Sequence, residues 1–327
     1  NTTIPLLTNM KKYYIILAVM VATTELCAQS SSQNYIRTQT MLNSSGNTYL
    51  DNIQYYDGLG RPSQHIQKGI TPSNSNLITI QEYDNFGREI KKWLPVPIGS
   101  DYIDPTTFKN AAVGSYNDSQ PFEYTKYDNS PLNRITEQYG TGTLWSSKPM
   151  VTGYLLNNND SDLRCNFYKL DATGSIVRDG DYLPGQLSVN KITDEDGNIS
   201  YTFTNKQGQT ILIRQLNGSE LYDTYYVYDD YGNLNLVLPP MINNDISANN
   251  INLYAFQYKY DGKNRCVEKK LPGCLPIKYV YDAIDRPVFT QDGNQAGRNE
   301  WTVTIYDSFD REVLKGTYIA TQLPDIK

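Results

Sequence analysis

The chain has 327 residues, a formal net charge of −6 and a pI near 5.0; 28 residues are Tyr and one is His. An acidic chain with no Lys/Arg cluster beyond its first residues excludes nucleic acid and anionic membrane surfaces as natural partners. Its length allows two domains.

Met10 begins a segment in which Lys11 and Lys12 precede an apolar run from Tyr13 to Ala22. That run is too short to span a bilayer and suits the core of a signal peptide. Residues 10–28 are therefore expected to form a signal helix removed after Ala28, with residues 1–9 upstream of the natural start. The protein is expected to be secreted or displayed at the cell surface. Acylation of Cys27 would need a small residue before it, and Leu26 stands there. No other segment is long and apolar enough to cross a membrane. Removal of Cys27 leaves Cys165, Cys266 and Cys274, an odd number. Cys266 and Cys274 bracket a Leu-Pro-Gly turn, so they either oppose each other across a hairpin or stay unpaired. No CxxC pair or Cys/His cluster suggests zinc.

The phrase "YYDGLGRP" at residues 55–62 returns as "YDNFGRE" from Tyr83, "YDDYGNL" from Tyr228, "YDGKNRC" from Tyr260, "YDAIDRP" from Tyr281 and "YDSFDRE" from Tyr306. A looser copy, "YDNSPLNRI", starts at Tyr127. Recurrence at this scale points to a repeated structural unit rather than an active site. The second residue is always Asp: Asp57, Asp84, Asp229, Asp261, Asp282 and Asp307, counting from Tyr56 in the first copy. The fifth is Gly60, Gly87, Gly232, Asn264, Asp285 or Asp310, residue types that tolerate a positive φ. The sixth is Arg61, Arg88, Asn233, Arg265, Arg286 or Arg311. Asp opening a type I turn, closed by a left-handed residue three places later, predicts a three-residue hairpin loop with a bulge.

The flanks alternate as half-buried strands do: "ISYTFT" from Ile199, "YAFQYKY" from Tyr254 and "IKYVY" from Ile277. "WTVTIY" from Trp301 breaks the parity, so a bulge or a rim strand is expected there. No long 3.6-residue apolar stripe follows residue 30. The expected fold class is all-β, built of antiparallel hairpin repeats.

These phrases resemble the RHS/YD-repeat proteins. The stretch from Tyr258 to Tyr318, with "YKYDGKNRC" and "WTVTIYDSFDREVLKGTY", is similar to secreted RHS-type proteins of Bacteroidetes. The stretch from Asn34 to about Asn157 is similar to the domain that precedes the repeats in that group. The resemblance implies an N-terminal β domain over 29–157 and a repeat region over 158–327, curved or spiral, forming part of a shell. It also implies downstream repeats and a C-terminal effector as partners. The Asp-Pro core motif linked to self-cleavage in that family is missing, since Asp104-Pro105 continues as Thr-Thr. With no capping segment, the chain reads as a truncated gene or the leading piece of a longer protein. An unpaired edge is then expected near Trp301–Ala320, prone to association or continuation.

An exported, non-enzymatic structural scaffold follows as the leading function. The alternative is a carbohydrate-binding or adhesion protein using its Tyr-rich faces on surface glycans. A glycoside-active enzyme ranks third, because aspartates repeated in every turn read as turn-formers, whereas catalytic acids are needed once or twice. His65 reads as a strand-surface residue, and "TDEDGN" from Thr193 as a turn rather than a calcium loop. No catalytic, cofactor-binding or metal-binding residue is assigned.

Overall fold

The computed structural model describes residues 33–322; the expected signal segment lies outside them. The fold is nearly all antiparallel β. The chain divides into two compact units, one running to Arg134 and including Gln138–Ser147, the other holding Ile135–Glu137 and the chain from Lys148 onward. The sequence reading set its division later, near residue 157.

In the first unit, strands Asn34–Met41, Tyr49–Tyr56, Pro62–Gln67 and Asn76–Tyr83 form an antiparallel meander. Asn76–Tyr83 also pairs with Glu89–Trp93 and Val96–Ile98, and Glu89–Trp93 pairs with Phe122–Tyr127. Period-two patterning puts Ile53, Tyr55, Ile66, Ile78 and Ile80 on one buried face, with Trp93 and Val96. A helix, Pro105–Tyr116, covers that face with Phe108 and Ala112. This helix is a local exception within a fold that is, as expected, nearly all antiparallel β. Its start follows from local chemistry: Pro105 occupies the first turn, and the Asp104 carboxylate accepts the Thr107 N–H at 3.1 Å. Only two of its residues are buried, so no apolar stripe marks it in the sequence. Buried Gln64 ties the preceding loop to the sheet, donating to the Ile103 carbonyl at 2.9 Å and accepting its N–H at 3.1 Å.

In the second unit, antiparallel neighbours run from Met150–Leu156 to Ser188–Thr193 and then strand by strand to Glu312–Ile319. The hairpin Asn166–Leu170/Ile176–Asp181 forms its own two-stranded sheet. Val189, Tyr201, Phe203, Leu212, Tyr225, Val227, Leu236 and Leu238 make the core, with Tyr168 from the small hairpin. "YAFQYKY" is not one strand: a short helix, Ala248–Tyr254, capped by Ser247, ends at Tyr254, and the strand is Phe256–Tyr260. The irregular strand Glu300–Tyr306 has its register shift between Ile305 and Tyr306. Equivalent shifts stand at Tyr55/Tyr56, Glu82/Tyr83, Val227/Tyr228, Lys259/Tyr260 and Val280/Tyr281. The bulge thus belongs to the turn, not to this strand alone. The stretch "LLNNNDSD" from Leu155, where the sequence reading set its division, contains buried Asn157, whose side chain donates to Leu183 O and accepts from Leu187 N.

Candidate functional site: a ladder of tyrosine–aspartate turns

The fifth residue of every copy is left-handed: φ is 76° at Gly60, 83° at Gly87, 85° at Gly232, 60° at Asn264, 69° at Asp285 and 62° at Asp310. Within each loop the Asp does most of the bonding. Asp57 Oδ1 accepts the N–H groups of Leu59 and Arg61 at 2.9 Å each, and Oδ2 accepts Arg61 Nε at 2.7 Å. Asp84 with Arg88, Asp261 with Arg265, Asp282 with Arg286 and Asp307 with Arg311 repeat the pattern. In the Tyr228 copy, Asn233 replaces Arg and bonds Asp229 through its amide at 3.1 Å. An Asx side chain capping its own loop is standard turn chemistry, and here Arg locks it by charge. The Arg61 N–H, then its guanidinium, hold the Asp57 carboxyl below its ordinary range. Asp282 is held down by the same Arg286 groups, and Asp307 first by the Arg311 guanidinium.

Three further loops share the backbone geometry without the Tyr: Asp171–Ser175, Asp194–Asn198 and Asn205–Gln209, with Gly174, Gly197 and Gly208 left-handed. "TDEDGN" is therefore a turn whose carboxylate Asp194 caps its own loop. The signal that finds all three is Asx followed three residues later by Gly. Anchoring the search on Tyr hides all three, and the loop from Asp194 is found only through its likeness to a calcium loop.

Successive turns are joined by the Tyr and the Arg. Each Tyr hydroxyl donates to the carbonyl of the residue after the preceding turn's sixth position. In the first unit these are Tyr83 to Pro62 at 2.7 Å and Tyr127 to Glu89 at 2.9 Å. In the second they are Tyr228 to Thr210 at 3.1 Å, Tyr260 to Leu234 at 2.9 Å, Tyr281 to Cys266 at 2.8 Å and Tyr306 to Pro287 at 3.1 Å. The guanidinium of the preceding Arg lies over the same ring: Arg61 over Tyr83 at 4.5 Å, Arg88 over Tyr127 at 4.6 Å, Arg265 over Tyr281 at 4.9 Å and Arg286 over Tyr306 at 5.0 Å. Each such contact contributes roughly 0.5–1 kcal/mol when partly exposed. Burial raises the Tyr281 and Tyr260 hydroxyl pKa values, keeping both protonated donors.

The fifth residue has a second role that sequence reasoning missed. Arg265 Nη1 donates to Asp285 Oδ1 at 2.7 Å, Arg286 Nη1 to Asp310 Oδ1 at 2.9 Å, and Asn233 Nδ2 to Asn264 Oδ1 at 3.1 Å. Where the fifth residue is Gly87, the Arg61 guanidinium instead stands 3.1 Å from where a Cβ would be. Asn or Asp there is thus a rung-to-rung acceptor as well as a residue that tolerates positive φ.

Register is the same at every junction. The residue three after the sixth position pairs with the residue three before the next Tyr. The pairs are Gln64 with Ile80, Lys91 with Tyr124, Leu212 with Tyr225, Leu236 with Gln257, Glu268 with Lys278, and Phe289 with Val303.

Other chemistry-bearing residues are placed differently. His65 is half-buried in the strand Pro62–Gln67, and burial lowers its pKa. Cys165 is buried with its thiol pKa pushed up by burial, Cys266 is half-buried and Cys274 exposed; all three are free thiols. A cavity of about 270 Å³ near Tyr168 and Asn244 is floored by buried Arg214, which grips Asp223 with two 2.7 Å bonds. Its third nitrogen donates to the carbonyls of Ser161, Asp162 and Arg164, so the cation is fully engaged by the protein. Nothing in the sequence pattern marks this pair.

Residues 29–154 match the family described as Domain of unknown function (DUF6443). No curated protein sequence matches the chain. Its fold is similar to TcdB2-TccC3 without hypervariable C-terminal region (TM-score 0.57, 15% identity, 94% of this chain and 14% of that chain). It is also similar to a mutant Tc holotoxin pore of Photorhabdus luminescens (TM-score 0.55, 15% identity, 89% of this chain and 13% of that one). The chain therefore spans about one seventh of the length of the structures it matches.

Proposed function

We propose that the protein is an exported, non-enzymatic scaffold: part of an RHS/YD-repeat shell that encloses or presents a C-terminal effector. The observation that carries this reading is the constant register, with the Tyr hydroxyl bond recurring at six junctions and the Arg-over-Tyr contact at four of them. A sheet built that way extends by addition of identical units, which is how repeat architectures grow. The repeated carboxylates are engaged inside their own turns, and six Tyr hydroxyls bond main chain. These groups serve the sheet rather than a sugar or a reaction.

Two measurements test the reading. Sequencing the mature N-terminus from the secreted fraction should find Gln29; a cell-retained product that starts at Met10 would reject export. In the native gene product, polypeptide beyond the hairpins should resist protease until the ladder is opened by Tyr281→Ala with Arg286→Ala. Equal digestion before and after opening would reject the enclosing role.

A further inference from the structure

One internal rung of the ladder lacks its cation. At the junctions entering Tyr83, Tyr127, Tyr281 and Tyr306, the sixth residue of the preceding turn is an Arg. Its guanidinium pairs with the Asp of its own turn and covers the next ring. Before Tyr260 that residue is Asn233, whose short amide bonds Asp229 and Asn264, each at 3.1 Å. Two groups are left without the partner that their counterparts have. The Asp229 carboxylate accepts the N–H groups of Tyr231 and Asn233 but meets no cation among the described residues. Nor does any cation among them lie over the Tyr260 ring. Before Tyr228 the sixth residue is Gln209, again uncharged, but that loop is capped by Asn205, so no carboxylate is stranded there.

The missing side chain also leaves room. One rung later, Arg265, Val267, Tyr279 and Tyr281 line a slot of about 380 Å³. The residues at the same ladder positions here, Asn233, Asn235, Tyr258 and Tyr260, line a cavity of about 590 Å³. Asp229, Asp261 and Lys259 line it too. Asp261 is paired with Arg265 at 2.7 Å and Lys259 with Glu268 at 2.9 Å, so Asp229 is the charge left over. Where the next rung has Val267, this one has Asn235, whose buried Oδ1 has no hydrogen-bond partner among the described residues. A buried acceptor of that kind calls for a donor.

We propose that this cavity binds the guanidinium group of an incoming arginine, which takes the place of the missing sixth-position side chain. The planar cation lies on Tyr260 as Arg265 lies on Tyr281, and donates to Asp229 as Arg265 donates to Asp261. A rotation of the Asn235 amide turns its oxygen toward the same cation. The site selects guanidinium over ammonium, because lying flat on a ring while donating sideways to a carboxylate requires a planar fork. This goes beyond the scaffold reading and holds whether or not a shell encloses an effector.

The test is an NMR titration of the full chain carrying labelled tyrosine rings, with the Tyr260 resonance assigned through Tyr260→Phe. The probe is N-acetyl-arginine methylamide, compared with the same derivatives of citrulline, its neutral isostere, and of lysine. We expect a saturable shift of Tyr260 with the arginine probe, and binding about tenfold weaker for citrulline and several-fold weaker for lysine. Asn233→Arg supplies the cation from within the chain, so it should abolish the saturable shift and raise the urea midpoint. Asp229→Asn keeps the loop cap, as Asn205 does in its own turn, and should weaken binding about tenfold. No saturable shift, equal binding of citrulline, undiminished binding to Asn233→Arg, or shifts at Tyr281 and Tyr306 equal to that at Tyr260 would each overturn the proposal. A Gly-Arg-Gly peptide distinguishes the sources: tighter binding than the single residue assigns the arginine to a polypeptide, and equal binding to a free guanidinium compound.

Discussion

Gly87 gives the sharpest test of the ladder, because two physical demands meet at it. Its φ of 83° is costly for a residue with a Cβ, and an added Cβ would stand 3.1 Å from Arg61 Nη1. Gly87→Val incurs roughly 1–2 kcal/mol for the left-handed conformation. It also displaces Arg61 from the Tyr83 ring, roughly 0.5–1 kcal/mol more. Loss of glycine's freedom in the unfolded chain returns about 0.5 kcal/mol, so the net destabilisation is about 2 kcal/mol. Gly87→Asp behaves differently. Asp285 and Asp310 show that a carboxylate here accepts the preceding Arg at 2.7 and 2.9 Å. An exposed ion pair of that kind adds about 0.5 kcal/mol and Asp tolerates the backbone, so this variant should lie within about 0.5 kcal/mol of the parent. Gly87→Asn should fall between the two. The assay is urea titration followed by Trp93, which is buried in the same unit, with hydrogen exchange over residues 76–93 assigning the transition. Equal midpoints for Val and Asp would refute the reasoning, since neither backbone angle nor Arg61 would then matter.

Tyr281→Phe keeps the ring under Arg265 but leaves the Cys266 carbonyl without its donor; we expect a loss of about 1 kcal/mol, and an unchanged urea midpoint would contradict the clasp. Asp104→Ala removes the cap of the helix Pro105–Tyr116 and should cost about 1 kcal/mol, seen as faster amide exchange in its first turn. Asp57, Asp282 and Asp307 have folded pKa values below their ordinary 3.8, so the unfolded chain binds these protons more tightly. Their stabilisation is complete above that ordinary value and fades as pH falls through the depressed folded values, so the hairpins should loosen as pH falls below about 4; circular dichroism unchanged on acid titration would argue against this. A thiol reagent should modify exposed Cys274 first, half-buried Cys266 slowly and Cys165 only on unfolding.

The local chemistry of this protein is written in its sequence. Asp at the second position, a left-handed fifth residue and strands alternating with period two are all decided within a few residues, by sterics and by short hydrogen bonds. The repeated phrase could therefore be read as a turn before any fold was known. The helix Pro105–Tyr116 was legible only at its start, where Asp104 and Pro105 stand; its two buried contacts, Phe108 and Ala112, leave too faint a stripe. Tyr254 joined the alternation of "YAFQYKY" in the sequence, yet it closes a helix, because parity cannot distinguish a strand residue from an aromatic one step before it.

What lies between turns belonged to the tertiary structure alone. The Tyr281 hydroxyl reaches Cys266 and Arg214 meets Asp223 only once consecutive strands are paired in register, and Arg214 meets the carbonyls of Ser161, Asp162 and Arg164 only once a loop about 50 residues earlier is folded against it. Asp285 and Asp310 look like mere substitutes for Gly until the preceding Arg is seen to bond them. Sequence records which backbone angles a residue accepts. The partner across a sheet is set by register, and register is a property of two strands at once.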